Sequence, residues 1–207
     1  MVIPGDLIDI NVLICRHFGQ ESSLRDPAAL EAVVASASEI IFSQDATPRG
    51  QAWRLGRSLV RLHPFLDGNK RTAIVAMDFL LAQEGLSWDN PPIWRYDLVM
   101  GWVGEGECPE MSTFSVSDGD PGRKGIDIIM VDNFDVLHAL ADEPTSCPEC
   151  RGWGISTVAE ACSSCGGRGC VNCSDGAVPV EKPCGLCGGR GEIPPREWLE
   201  MMGDSLG

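Results

Sequence analysis

No segment of this 207-residue chain carries an excess of positive charge; 16 basic against 30 acidic residues leave a net charge of −14. Residues 1–115 hold 9 basic and 15 acidic side chains, 116–145 hold 2 and 7, 146–191 hold 4 and 4, and 192–207 hold 1 and 4. Direct binding of nucleic acid or of an anionic membrane surface therefore has no electrostatic support. No apolar run reaches the length of a membrane span. The N-terminus, MVIPGDLIDINVLI, has acids where a signal peptide carries its basic region. These absences give the expectation of a soluble cytoplasmic protein with no membrane partner, and in that compartment ten cysteines are not a disulfide framework.

What the chain does contain is concentrated in two places. The first is His63 to Ala73, HPFLDGNKRTA. A histidine able to take a proton heads the stretch, Asp67 offers a hard oxygen ligand for Mg²⁺, and Gly68 and Asn69 supply backbone that turns tightly and presents N–H groups. Lys70 and Arg71 bring two cations to the mouth of the helix that follows, expected from Arg71 to about Glu84 and apolar almost all round. A helix without a polar face is buried at the centre of its domain. Its N-terminus, opening at a Gly-Asn loop, is a ready site for the phosphates of a nucleotide. The blander reading is a capping loop that happens to contain a histidine, and the number of compatible groups in so few positions weighs against it.

Apolar spacing gives the frame. Residues 6–18 read as a helix with Asp6 as its cap and Leu7 and Ile10 on the buried face, with Cys15 and His17 as packing residues. Asp26-Pro27 opens a second helix to about Phe42. A third, from about Ala46 to Leu62, turns Trp53, Leu55 and Leu59 inward and Arg49, Arg54, Arg57 and Arg61 mostly outward, and runs into His63. Such an arginine row suits an acidic partner, although a solvated face is its commoner meaning. Phe65 is the expected inward anchor of the loop. Ser87–Pro92 reads as a turn, Trp94–Val103 as a further helix and Pro109–Phe114 as a last short one. Residues 1–115 thus read as a mainly α catalytic domain, 116–145 as a linker or packing extension, 146–191 as a cysteine module and 192–207 as a tail. Cys108 is expected to be a buried thiol and His138 to be structural or exposed.

The second concentration is an internal repeat, CPECRGWG, CSSCGGRG, CVNCSDGA and CGLCGGRG. Each CxxC can wrap two thiolates round one side of a tetrahedral Zn²⁺, and the glycines after it let backbone N–H groups approach the sulfurs. Two Cys₄ sites, holding two structural Zn²⁺, use all eight ligands: Cys147, Cys150, Cys162, Cys165, Cys170, Cys173, Cys184 and Cys187. Sequential and nested pairing of the four motifs both remain open.

HPFLDGNKRTA resembles the active-site signature of the Fic/Doc family, H-x-F-x-(D/E)-(G/A)-N-(G/K)-R, and leans towards its Doc-like, death-on-curing branch. Members that transfer AMP usually carry glycine at the position of Lys70 and a second arginine at that of Ile74. The resemblance implies a helical Fic/Doc-type domain and an enzyme that uses ATP with Mg²⁺ to modify a protein hydroxyl. By the same resemblance Asp67 would hold the Mg²⁺, and Gly68, Asn69, Lys70 and Arg71 the phosphates. Arg71 would neutralise transition-state charge, and His63 would be the base. It implies a toxin-type protein kinase that transfers the γ-phosphate, with elongation factor Tu as the familiar target. AMP transfer is the alternative within the family, and an inactive adaptor is the alternative from another class. Self-restraining relatives carry (S/T)-x-x-x-E-(G/N); Glu84-Gly85 and Glu105-Gly106 have Leu80 and Gly101 at the Ser/Thr position, which points either to a separate antitoxin-like inhibitor protein or to a role for the acidic C-terminal half.

The cysteine repeat resembles the cysteine-rich domain of J-domain chaperones. That implies Cys147, Cys150, Cys184 and Cys187 on one zinc, and Cys162, Cys165, Cys170 and Cys173 on the other. The inner hairpin, Gly166 to Gly169, is shorter than expected for those chaperones, and the chain has neither a J-domain nor a His-Pro-Asp tripeptide. Partner-polypeptide binding and a zinc-stapled spacer are both compatible with it.

Overall fold

The structure, a computed structural model, describes residues 2–38, 47–141, 145–146, 155–161, 177–184, 190 and 192–204. The chain divides into two compact units, Met1–Glu143 with Leu199–Gly207, and Pro144–Trp198.

In the first unit, α1 (Pro4–His17) begins earlier than the spacing predicts, because Pro4 supplies the fixed φ of a first helical position. Asp6 is not the cap; its carboxylate reaches back to accept the Ile3 N–H at 2.9 Å. Helix α2 (Pro27–Ser38) opens as expected, with the Asp26 carboxylate accepting the Ala29 N–H at 3.0 Å, and the predicted continuation to Phe42 lies outside the described residues. The next helix, α3 (Pro48–Leu62), is capped by the Thr47 hydroxyl, which accepts the Gly50 N–H at 3.1 Å.

Helix α4 (Asn69–Gln83) is the centre of the unit. Ala73 through Met77 have no exposed surface at all, as expected of a helix apolar on every side. It packs against α1 and α3, and the approach of α3 is so close at Gly56 that a Cβ there would stand 2.2 Å from the Met77 sulfur.

The expected turn at 87–92 begins instead as a strand. β1 (Leu86–Trp88) pairs antiparallel with β2 (Val116–Asp118), Ser87 opposite Ser117. Three residues are too few to show the period-2 alternation that marks a strand in sequence. After it come α5 (Pro92–Val103) and a 3₁₀ turn (Met111–Thr113) where a short helix was predicted. Trp53, Trp88, Trp94, Trp102 and Phe114 cluster there, the Trp94 and Phe114 rings stacked at 5.9 Å and 11°. Cys108, expected to be buried, is exposed in the loop after α5.

Residues beyond 115 carry α6 (Ile126–Asp132) and α7 (Phe134–Ala139), packed on α4 and α5 respectively. A buried carboxylate ties them down. Asp78 of α4 has no exposed surface and accepts both terminal nitrogens of Arg123, at 3.0 and 2.8 Å, and the Asn133 amide at 2.8 Å. The Arg95 guanidinium stands 3.8 Å away, lies over Trp88 and donates to the Trp88 carbonyl at 2.6 Å. The hydrogen bonds to Asp78 hold the Arg123 pKa above its ordinary value, whereas burial lowers that of Arg95.

The second unit holds two antiparallel ladders. β3 (Thr145–Ser146) pairs with β6 (Glu192–Ile193), and β4 (Ile155–Ala161) with β5 (Ala177–Pro183) over seven residue pairs from Ile155↔Pro183 to Ala161↔Ala177. Helix α8 (Pro195–Asp204) follows. Of the eight expected zinc ligands, Cys184 is described and is buried; the other seven lie outside the described residues, among which no cluster of three or more metal-binding side chains occurs.

Candidate functional site

The C-terminus of α3 and the N-terminus of α4 meet at residues 63–68. His63 ends α3 in the left-handed region, φ 47°, the one non-glycine among the described residues to do so. Such a backbone costs about 1–3 kcal/mol and needs support from its surroundings. The Arg25 guanidinium supplies some of it by donating to the His63 carbonyl. The next turn of the loop is fixed by Asn69, whose side chain accepts the Phe65 N–H at 3.1 Å and donates to the Phe65 carbonyl at 2.8 Å, while the Phe65 ring is buried as the inward anchor. Asn69 therefore spends its side chain on the loop, and what it can offer a phosphate is its backbone.

Gly68 caps α4 at φ 75°, and a Cβ there would stand 3.0 Å from the Asn11 amide nitrogen and 3.3 Å from the Cys15 sulfur. Only glycine combines that φ with that proximity. Asn11, fully buried on α1, donates to the Asp67 carbonyl at 2.9 Å and to the Thr72 hydroxyl at 3.1 Å. Its own carbonyl oxygen accepts the Ser22 hydroxyl at 2.7 Å. One side chain thus pins both flanks of the Gly68 turn. Burial pushes the neighbouring Cys15 thiol up, keeping it protonated and inert.

The charged groups follow from this frame. The Asp67 carboxylate accepts the Gly68 N–H at 2.6 Å and the Arg71 guanidinium at 3.4 Å, yet 48 % of the side chain remains exposed. Arg71 is itself buried, lies 4.4 Å over the Phe18 ring and donates to the Gln20 side-chain oxygen. His63, Asp67, Gly68, Asn69, Lys70 and Arg71 line one cavity of about 240 Å³ with Gln20, Leu66, Leu140 and Ala141. The size suits a phosphate chain better than a whole nucleotide, since pockets that engulf drug-sized ligands measure roughly 300–1,000 Å³. All the residues singled out in the loop are brought together here. An exposed carboxylate at the mouth of a cationic pocket, with one oxygen already oriented by a backbone N–H, also fits a Mg²⁺ ion that arrives with phosphates.

Sequence reasoning missed Asn11, Phe18, Gln20 and Arg25, which come from α1 and the loop after it. Asn11 had a readable signal, being a polar residue in register with Leu7, Ile10 and Ile14 on an apolar face. His17, expected in the packing, is exposed and touches Phe18, Phe134 and His138 edge-on.

Residues 3–81, from the start of α1 almost to the end of α4, match the family model described as Fic/DOC family. Over 61 residues the chain is 44 % identical to a protein named Toxin Doc from Mycolicibacterium smegmatis, the match covering 28 % of this chain and 47 % of that protein. The chain thus spans about half the length of the curated relative it matches. No solved structure matches the chain. The residues matched by the family model lie in the helical part that holds the cavity.

Partial burial, and then the Arg25 and Lys70 cations, hold the His63 pKa below its ordinary value of 6.5. The imidazole is therefore neutral near pH 7 and able to accept a proton. Between its folded and unfolded pKa values the unfolded chain binds more protons, so this group's contribution to stability rises with pH through that window. With three histidines in the chain, NMR titration of the imidazole carbons resolves each one. His63 should titrate below its unfolded value and move upward in Arg25→Ala; an ordinary or raised pKa would contradict the electrostatics described.

Proposed function

We propose that the first unit holds a Fic/Doc family domain and is a nucleotide-dependent transferase of the Doc type, which moves the γ-phosphate of ATP to a hydroxyl of a target protein. The observation that carries the reading is the convergence of His63, Asp67, Lys70 and Arg71 on one cavity at the N-terminus of a buried helix. In this reading the phosphates lie against the Gly68–Lys70 backbone and the helix N-terminus. Asp67 holds the Mg²⁺ that accompanies them, and that ion neutralises phosphate charge. Arg71, fixed by Phe18 and Gln20, meets the charge that builds up in the transition state. His63 takes the proton of the attacking hydroxyl as the new O–P bond forms and the bond to the ADP oxygen breaks. Lys70 favours the γ-phosphate by filling space and adding charge where AMP-transferring relatives have glycine. The name of the Mycolicibacterium relative supports a toxin role, with an antitoxin-like protein as inhibitor and a translation factor such as elongation factor Tu as target.

ATP labelled on the γ-phosphorus should label a protein in a cell lysate, and His63→Ala should lower that rate by roughly 10²- to 10⁴-fold, the usual contribution of a general base. Label entering only from the α-phosphorus would mean AMP transfer. Label from neither position would favour an adaptor.

For the second unit we propose two structural zinc ions in nested pairing. The β4–β5 ladder, seven pairs and so about 20 Å long, separates the outer cysteine motifs in the chain from the inner ones, which follow Ala161 and precede Ala177. Sequential pairing would oblige residues 151–154 to double back, nearly fully extended, along that ladder; nested pairing asks for no such path. Elemental analysis should find two zinc ions per chain, and the double variant Cys147→Ser, Cys184→Ser should keep one. Loss of both would show sequential pairing, and no metal in either protein would refute the zinc module.

A further inference from the structure

Away from the phosphate cavity, the outer side of α3 and the end of α2 enclose a larger groove of about 540 Å³, lined by Ser36, Trp53, Arg54, Arg57, Ser58, Arg61, Leu62 and Met111. It shares no lining residue with the cavity at His63. Its walls are cationic, and its floor and rim carry apolar groups from Trp53, Leu62 and Met111.

We infer that this groove docks a short acidic, partly apolar segment of a partner protein. Arg57 and Arg61 are exposed, and no carboxylate pairs with either among the described residues. Among the described residues Arg16, Arg25, Arg49 and Lys124 likewise meet no carboxylate, so what marks Arg57 and Arg61 is that they stand on adjacent turns of one helix and line one groove. Asp78 meets two arginines, and Asp67 and Asp132 meet one each. Arg57 and Arg61 stand at i and i+4 on one face, so they are about 6 Å apart along the axis at 1.5 Å per residue. That matches carboxylates at the same spacing on a partner helix, each able to take a guanidinium through two parallel hydrogen bonds. The Ser36 hydroxyl donates to the Val33 carbonyl at 2.7 Å and accepts from the Ser58 hydroxyl at 2.8 Å, so both hydrogens are spent and the arginines are left to supply the donors of the wall. Exposed Leu62 and the edge of Trp53 give an apolar side chain somewhere to rest.

Charge also limits the length of the occupant. Beyond this pair the protein is acidic, so a long polyanion such as nucleic acid would meet repulsion over most of its contour, whereas an acidic segment confined to about 6 Å would not. An acidic peptide therefore fits where an oligonucleotide does not.

The test uses the full-length protein and fluorescence anisotropy with three labelled probes: an alanine- and leucine-rich helical peptide bearing two glutamates at i and i+4, its glutamine counterpart, and a single-stranded oligonucleotide. The glutamate peptide should bind saturably, at least tenfold tighter than the other two, and weaken as salt is raised. Arg57→Glu with Arg61→Glu should lower its affinity tenfold or more. Both positions are exposed, so the variant should keep the parent's melting temperature, and Arg57→Gln with Arg61→Gln serves as a milder second variant. Absence of saturable binding, equal binding of the glutamine peptide, undiminished binding by both folded variants, or preference for the oligonucleotide would each overturn the proposal.

Discussion

The burial of α4 is the constraint on which the rest of the first unit depends. A helix with apolar residues on nearly every side must be covered by other elements, and α1, α3, α5 and α6 do so. Covering it fixes its N-terminus in space, and with it the free N–H groups and the positive end of the helix dipole. The polar groups inside this packing are each consumed by a specific task. Asn11 ties the Gly68 turn to α1, Asn69 closes the Phe65 loop, and Asp78 gathers Arg123 and Asn133 from the chain beyond residue 115. Losing one partner of such a buried set is costly because the others are left desolvated. The cavity at His63 is thus a by-product of core packing, lined by residues whose neighbours are tied into that packing.

The same constraint explains why the site combines strain and charge. His63 occupies a left-handed backbone conformation, and Arg71 is a cation with almost no exposed surface. Each is tolerated because a neighbour compensates it, Arg25 at the His63 carbonyl and Phe18 with Gln20 at the Arg71 guanidinium. Arg25 has a second effect, helping to keep the imidazole neutral. Support and electrostatics reside in one side chain, from a loop that carries no motif.

Sequence spacing revealed what is local and hid what is distant. The loop from His63 to Arg71 was readable because its chemistry lies within nine consecutive residues, and α3 and α4 because their patterns run for four turns. The β1–β2 ladder was not, since a three-residue strand leaves no period and its partner lies thirty residues away. Nor could spacing show that Arg95, Arg123 and Asn133 converge on Asp78, or that Asn11 and Gln20 reach residues more than fifty positions downstream. Cys108 was misplaced because a thiol's hydrophobicity says nothing of a loop's position. In the cysteine repeat, the proposed zinc ligands rest on spacing alone, whereas their proposed pairing rests on the length of the β4–β5 ladder.

The central claim is that the loop and the N-terminus of α4 form a Mg²⁺-dependent phosphate site, and thermal unfolding with and without MgATP measures it most directly. Ligand at a hundred times its Kd should stabilise the protein by about 2.7 kcal/mol, and the gain should vanish with excess EDTA or in Asp67→Ala. A melting temperature unmoved by MgATP, or moved equally in Asp67→Ala, would contradict the account.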